Sequence, residues 1–269
     1  MANKVVALTI AGFDPSGGAG IIADIKTFIA FGWLPAAVIT SLTFQNSQGV
    51  FGALHQTAES VRDQLLPIVE EFQVASLKIG MLPTREVVIK VAQLIRELNL
   101  PAPVVDPVCR STSGYELVER DAIQALVSEL MPLARLITPN IPEAERLTGI
   151  TIDDEKQMRA AARKLREMGA STVLIKGGHL KQTSVSGNQE VTSSTLREGS
   201  RQAVDILDDE GRVTVVRGEW INYPPMRGKG CILSSAIAAC LGNELSTEEA
   251  IRAAKEFVSD TIRKSASAS

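Results

Sequence analysis

The sequence predicts an α/β fold of three layers, a central and mostly parallel sheet with helices packed on both sides. Two patterns carry that expectation. Short continuous apolar runs closed by glycine, such as VVALTIA at residues 5–11, mark strands buried on both faces. These runs alternate with amphipathic stretches of ten or more residues, which join neighbouring parallel strands by crossover helices. The 269 residues, 45% of them apolar, suffice for one large core, so residues 1–269 are expected to form a single domain.

In order, residues 5–11 form the first strand. Ile21, Ile25, Phe28 and Ile29 then repeat at helical spacing up to Gly32. Strands follow at 37–42, 75–79, 104–105, 136–138 and 173–175, with helices at 61–72, 87–98, 122–130 and 158–168 between them. Residues 181–201 are rich in Ser and Thr and lack aliphatic periodicity, which reads as a long, lid-like polar loop. Residues 203–207 and 212–217 flank a turn at 208–211 as a hairpin. An Ala- and Ser-rich helix at 232–241 stops at Gly242, and a final amphipathic helix runs over 247–263 with Ser246 as its N-cap.

Composition removes several function classes. A net charge of −3 gives no electrostatic reason to expect nucleic acid or an anionic membrane as a partner. Three scattered cysteines (Cys109, Cys231, Cys240) build neither a disulfide framework nor a zinc knuckle, which points to a reducing compartment. The N-terminus lacks the pattern of a secretory signal, and no run of apolar residues is long enough to span a bilayer. A cytoplasmic location is expected.

Four stretches carry chemistry. Residues 12–20 (GFDPSGGAG) follow the first strand and open the first helix, where parallel sheets bind ligands and glycines admit close backbone approach. Residues 228–231 (GKGC) run into a helix, so their N–H groups can cradle an anion, and the helix field would lower the Cys231 thiol pKa. Asp106, Asn140 and Glu143 fall at strand ends as hard oxygen donors suited to Mg²⁺, although Asn140 and Glu143 also fit a helix-capping pair. Lys176 leaves a buried strand beside two glycines and can reach phosphate oxygens. His179 reads as structural or lid-related.

Together these stretches resemble the hydroxymethylpyrimidine/phosphomethylpyrimidine kinase family of thiamin biosynthesis, within the ribokinase-like superfamily. The resemblance rests on AGFDPSGGAGI (11–21), Gln45-Asn46, KIGML (78–82), VDPV (105–108), TPNIPEAE (138–145), KGGHL (176–180) and GKGC (228–231). It implies ATP and Mg²⁺ as cofactors and a small-molecule substrate, with homodimers common. It also implies that Gly12, Asp14, Gln45, Met81 and Val108 contact the substrate ring. Lys176 and Asn140 would approach the nucleotide, and Asn140 and Glu143 would organise the metal; the chain's own residues add Lys229 at the nucleotide and Asp106 at the metal. Gly228, Gly230, Cys231 and Lys176 would form the catalytic group.

The chain departs from the family where a Thr-His pair usually precedes Gly-Thr-Gly-Cys. Met226-Arg227 stands there instead, with Lys229 in place of the Thr. Ser111-Thr112-Ser113-Gly114-Tyr115 replaces an Ala-Lys-Ser-Gly-Asp stretch. The expected function is ATP-dependent phosphorylation of hydroxymethylpyrimidine or its monophosphate. Rival readings are a pyridoxal-type kinase, a cysteine hydrolase using Cys231, and a non-catalytic pyrimidine-binding regulator.

Overall fold

A computed structural model describes residues 4–111, 113–178, 184–186, 189–191, 202–221 and 226–267. Nine strands make one sheet. In chain order they are β1 (Lys4–Phe13), β2 (Leu34–Gln45), β3 (Val50–His55), β4 (Phe72–Ile79), β5 (Val104–Val105), β6 (Leu136–Ile137), β7 (Thr172–Ile175), β10 (Gln202–Asp209) and β11 (Arg212–Glu219). Two short strands, β8 (Ser184–Ser186) and β9 (Gln189–Val191), pair antiparallel with each other within the predicted polar loop. The rest of that loop, and His179, lie outside the described residues.

The spatial order is β11-β10-β7-β6-β5-β4-β1-β2-β3. Pairing is parallel from β7 across to β2, and antiparallel at both flanks, where β10 meets β7 and β3 meets β2. β1 lies between β2 and β4, so the connections leave it in opposite directions. That switch point opens the crevice where ligands bind in such sheets.

Side chains alternate across the sheet as strand geometry demands. Leu8, Ile10, Val105, Ile137 and Val173 face one core, filled by α2 (Ala58–Glu71), α3 (Arg85–Glu97), α4 (Arg120–Ala125) and α6 (Glu155–Glu167). Ala7, Val104, Leu136 and Leu174 face the other, filled by α1 (Gly20–Ala30), α7 (Lys229–Gly242) and α8 (Thr247–Ser267). The small Ala and Ser side chains of α7 let it lie against β4 and β5, with residues 232–240 buried throughout.

Three elements differ from expectation. The predicted helix at 122–130 starts at Arg120 and passes at Leu126 into a π-helical turn. The helix α5 (Ile141–Thr148) begins at Asn140 through a reciprocal capping box with Glu143. β3 gives no sequence signal because it is an edge strand with Phe51, Leu54 and His55 exposed, so the inside–outside alternation never appears.

One polar cluster sits inside the second core. Lys78 on β4 and Asp24 on α1 are both fully buried and pair at 2.8 Å. Thr9 on β1 donates to Asp24 Oδ2 at 2.7 Å, and Ser235 on α7 donates to Oδ1 at 2.7 Å. Burial alone would discharge the Lys78 ammonium. The charges of Asp24 and Asp106 and the hydrogen bond to Asp24 together outweigh that effect and hold its pKa above the ordinary value. Removing one member of such a pair strands a charge in the core. The variant Lys78→Met is expected to lose about 3–5 kcal/mol of stability, and Lys78→Met with Asp24→Leu to recover most of it. Denaturant titration checks this, and an unchanged midpoint in the single variant would show that the pair has no structural weight.

Candidate active site

The site forms at the carboxyl edge of the parallel strands, where β1, β5, β6 and β7 end against the start of α7. β1 runs into the glycine loop, which is organised by Asp14. Its Oδ1 accepts from the Ser16 N–H at 2.8 Å and the Ser16 hydroxyl at 2.7 Å, and its Oδ2 from the Ala19 N–H at 2.9 Å. Arg227 also donates to Oδ2, at 2.7 Å, and to the Asn46 carbonyl. Burial would raise the Asp14 carboxyl pKa, but bonds from Ser16 and Gln45 and the charge of Arg227 bring it below the ordinary value. Gly20 closes the loop at φ 55°, where a Cβ would collide with the Gly12 carbonyl.

Further along the edge, Lys176 follows β7 and reaches Asp106, beyond the end of β5, at 2.7 Å. Thr138 donates to the same Asp106 oxygen at 3.2 Å. Burial opposes the Lys176 charge, and Asp106 with Glu143 outweighs it, so the ammonium is held above its ordinary pKa. The turn after Lys176 is fixed from behind, because the Gly177 N–H donates to buried Asp205 at 2.8 Å and Lys255 pairs with that carboxylate.

Asn140 Oδ1 accepts from the Glu143 N–H at 2.9 Å, and Glu143 Oε2 from the Asn140 N–H at 2.8 Å. Those two oxygens are therefore taken by the cap, and Asp106 Oδ1 is taken by Lys176. One oxygen remains on Glu143 and one on Asp106, the latter 3.5 Å from the Ser234 hydroxyl. This donor set fits a magnesium ion held through its water shell rather than by direct ligation. Burial pushes the Glu143 carboxyl up to about 7.

The helix α7 starts at Gly228, whose φ of 72° and close approach to the Gly18 carbonyl both require glycine. The N–H groups of residues 228–231 have no earlier helical turn to bind and can cradle an anion. A Cβ on Gly230 would lie 3.2 Å from Lys176 Nζ, so the cradle faces the edge that carries Lys176 and Asp106. Cys231 differs from expectation. Burial, with Asp24 and Asp106 nearby, outweighs Lys78 and the Gly20 N–H and pushes the thiol up to about 11. At neutral pH Cys231 carries its proton.

Two cavities meet at this cradle. The first, of about 330 Å³, is lined by Gly12, Asp14, Gln45, Met81, Val108 and Cys231, which gathers every residue expected at the substrate. The second, of about 460 Å³, includes Lys229 and the apolar side chains of Trp220, Ile221, Val258 and Ile262. Asn140, Lys176, Gly228 and Gly230 line both. Sequence reasoning missed Lys78, Asp24 and Asp205. A lysine inside the apolar strand ASLKIG and an aspartate among Ile21, Ile25 and Phe28 were the available signals.

The family profile described as phosphomethylpyrimidine kinase matches residues 14–269. The hydroxymethylpyrimidine/phosphomethylpyrimidine kinase of Aquifex aeolicus is 39% identical over 261 residues, covering 97% of this chain and 95% of that protein. Among solved structures, a phosphomethylpyrimidine kinase from Clostridium difficile superposes with TM-score 0.78 at 36% identity, over 96% of this chain and 100% of that one. A Staphylococcus aureus pyridoxal kinase in complex with AMP-PCP superposes with TM-score 0.81 at 28% identity, over 97% of this chain and 89% of that one. The fold is that of a ribokinase-like small-molecule kinase. The chain belongs to the phosphomethylpyrimidine kinase family.

A protonated thiol alkylates slowly, since the thiolate is the nucleophile. Iodoacetamide labelling of Cys231, followed by peptide mass spectrometry, is expected to be slow at pH 7 and to climb about tenfold per pH unit in the alkaline range. Rapid labelling at pH 7 would show instead that the helix field dominates.

Proposed function

We propose that the chain transfers the γ-phosphoryl group of ATP to hydroxymethylpyrimidine, to its monophosphate, or to both, with residues 1–269 acting as one kinase domain. The observation that carries this reading is the sharing of Lys176, Gly228 and Gly230 between two cavities, one holding Gly12, Asp14, Gln45, Met81 and Val108 and the other larger and partly apolar. The pyrimidine occupies the first, against Gly12, Met81 and Val108, with Gln45 and the Asp14 loop around it. The nucleotide occupies the second, its base among Trp220, Ile221, Val258 and Ile262 and its phosphates toward Lys176, Asn140 and Lys229.

Transfer is in line, and positioning with charge neutralisation supplies most of the acceleration. The amides of residues 228–231 meet the negative charge that develops on the migrating group, and Lys176 neutralises it further. Glu143 and Asp106 would hold the water shell of a magnesium ion, which would supply charge neutralisation at the phosphate oxygens. Cys231 stands on the acceptor side, where it positions a free alcohol; only its thiolate, the minor form of a thiol pushed up to about 11, takes the alcohol proton as the new bond forms.

The neighbouring pyridoxal kinase folds favour one second reading, a hydroxymethylpyridine acceptor in the same cavity. A cysteine hydrolase loses its main support, because a thiol pushed up to about 11 is a poor resting nucleophile. A cytoplasmic location fits the thiol chemistry, and no helix among the described residues is long and apolar enough to cross a membrane. We also propose a homodimer through the β2–β3 hairpin, where Phe44 at 56%, Phe51 at 67% and Leu54 at 56% are exposed on an open sheet edge.

Release of ADP in the presence of Mg²⁺, screened over hydroxymethylpyrimidine, its monophosphate and pyridoxal, tests the assignment. Turnover on a pyrimidine acceptor is expected, and turnover on pyridoxal alone would transfer the assignment to the second reading. Replacing Lys176 with Met is expected to cut kcat by roughly 10²–10³-fold. With the free alcohol as acceptor, Cys231→Ala is expected to lower kcat by about 10²-fold with little change in KM. Near-wild-type turnover in either variant would remove that residue from the chemistry. For the dimer, Phe44→Asp with Leu54→Asp is expected to halve the mass seen by light scattering, and an unchanged mass would place the interface elsewhere.

A further inference from the structure

The two cations that distinguish this chain lie on opposite sides of the anion cradle. Arg227, immediately before Gly228, lines the acceptor cavity and not the other. Lys229, immediately after it, lines the nucleotide cavity and not the first. Arg227 is also held in place. Its side chain is 22% exposed, one nitrogen lies 2.7 Å from Asp14 Oδ2, and another donates to the Asn46 carbonyl. Those bonds use two of the five N–H donors of a guanidinium, whose planar fork suits phosphate oxygens. The cavity wall beside it also carries Ser111, Ser113 and Arg110.

We propose that Arg227 is a specificity-determining residue that selects an acceptor already bearing a phosphate monoester over the free alcohol. The inference rests on the kinase reading above. In the favoured step an ionised oxygen of the monoester attacks the γ-phosphorus. The new O–P bond forms as the bond to the β-bridging oxygen breaks, and that electron pair leaves with ADP. No proton moves, because the attacking oxygen has none. The free alcohol, by contrast, must lose a proton while the only thiol at the cradle, Cys231, already holds one. Burial that pushes this thiol up to about 11 therefore favours the same acceptor as the cation. The fixed guanidinium in the cavity wall is the feature that selects this chemical class.

The test compares kcat/KM for hydroxymethylpyrimidine and its monophosphate in the wild-type chain, in Arg227→Met, and in Arg227→His, which restores the residue usual in the family. The wild-type chain is expected to prefer the monophosphate by at least about tenfold. Arg227→Met is expected to shrink the preference by about 10- to 100-fold, the loss of a charge-assisted hydrogen bond. Arg227→His provides a second reading of the same ratio if the methionine variant folds poorly. A wild-type preference for the alcohol, or a ratio unmoved in both variants, overturns the inference and leaves the kinase reading standing. Absence of ADP release with either acceptor overturns both.

Discussion

The start of α7 can deliver its amides to the sheet edge only because two glycine segments touch main chain to main chain, with Gly228 packed on the Gly18 carbonyl. No side chain fits between them. The Lys78–Asp24 cluster sets their distance, since it joins β4, α1, β1 and α7 through bonds of 2.7 to 2.8 Å. Ser235 binds Asp24 one helical turn beyond Cys231, so any drift of α7 along the sheet would break a buried charged hydrogen bond. The anion cradle thus inherits its position from a polar group sealed within the apolar core.

Electrostatics along the edge follow from the same arrangement. Lys176, Lys78 and Arg227 are each matched by a nearby carboxylate, Asp106, Asp24 and Asp14 respectively. The pairs hold the two lysine ammonium groups above their ordinary pKa, in a partly dry site where charge acts on phosphate more strongly than in water. Burial outweighs the charge of Lys78 at the Cys231 thiol, which stays protonated. The glycine-Cys turn of this chain therefore places a neutral sulfur near fixed positive charge.

Much of this was legible in the sequence because it is written in local pattern. Apolar runs such as 5–11 and 173–175 recorded burial on two faces, and the helices between them recorded one. The glycine segments at 12–20 and 228–231 signalled close approach, and TPNIPE signalled the cap that begins α5. What stayed hidden was long-range. Lys78 and Asp24 lie 54 residues apart, and only the fold shows that each is the other's counter-ion. Arg227 and Asp14 are 213 residues apart. The edge strand β3 lacked a pattern because little of it is covered. The thiol's protonation state depended on burial by the whole fold.

The account turns on where phosphorus is transferred. A crystal structure of the chain with ADP, Mg²⁺, aluminium fluoride and the pyrimidine acceptor tests this most directly. The fluoroaluminate is expected between the two cavities, within hydrogen-bond reach of the amides of residues 228–231 and of Lys176 Nζ. A transition-state mimic bound away from those amides, with the cradle empty, would contradict the assignment of the cradle to the migrating group.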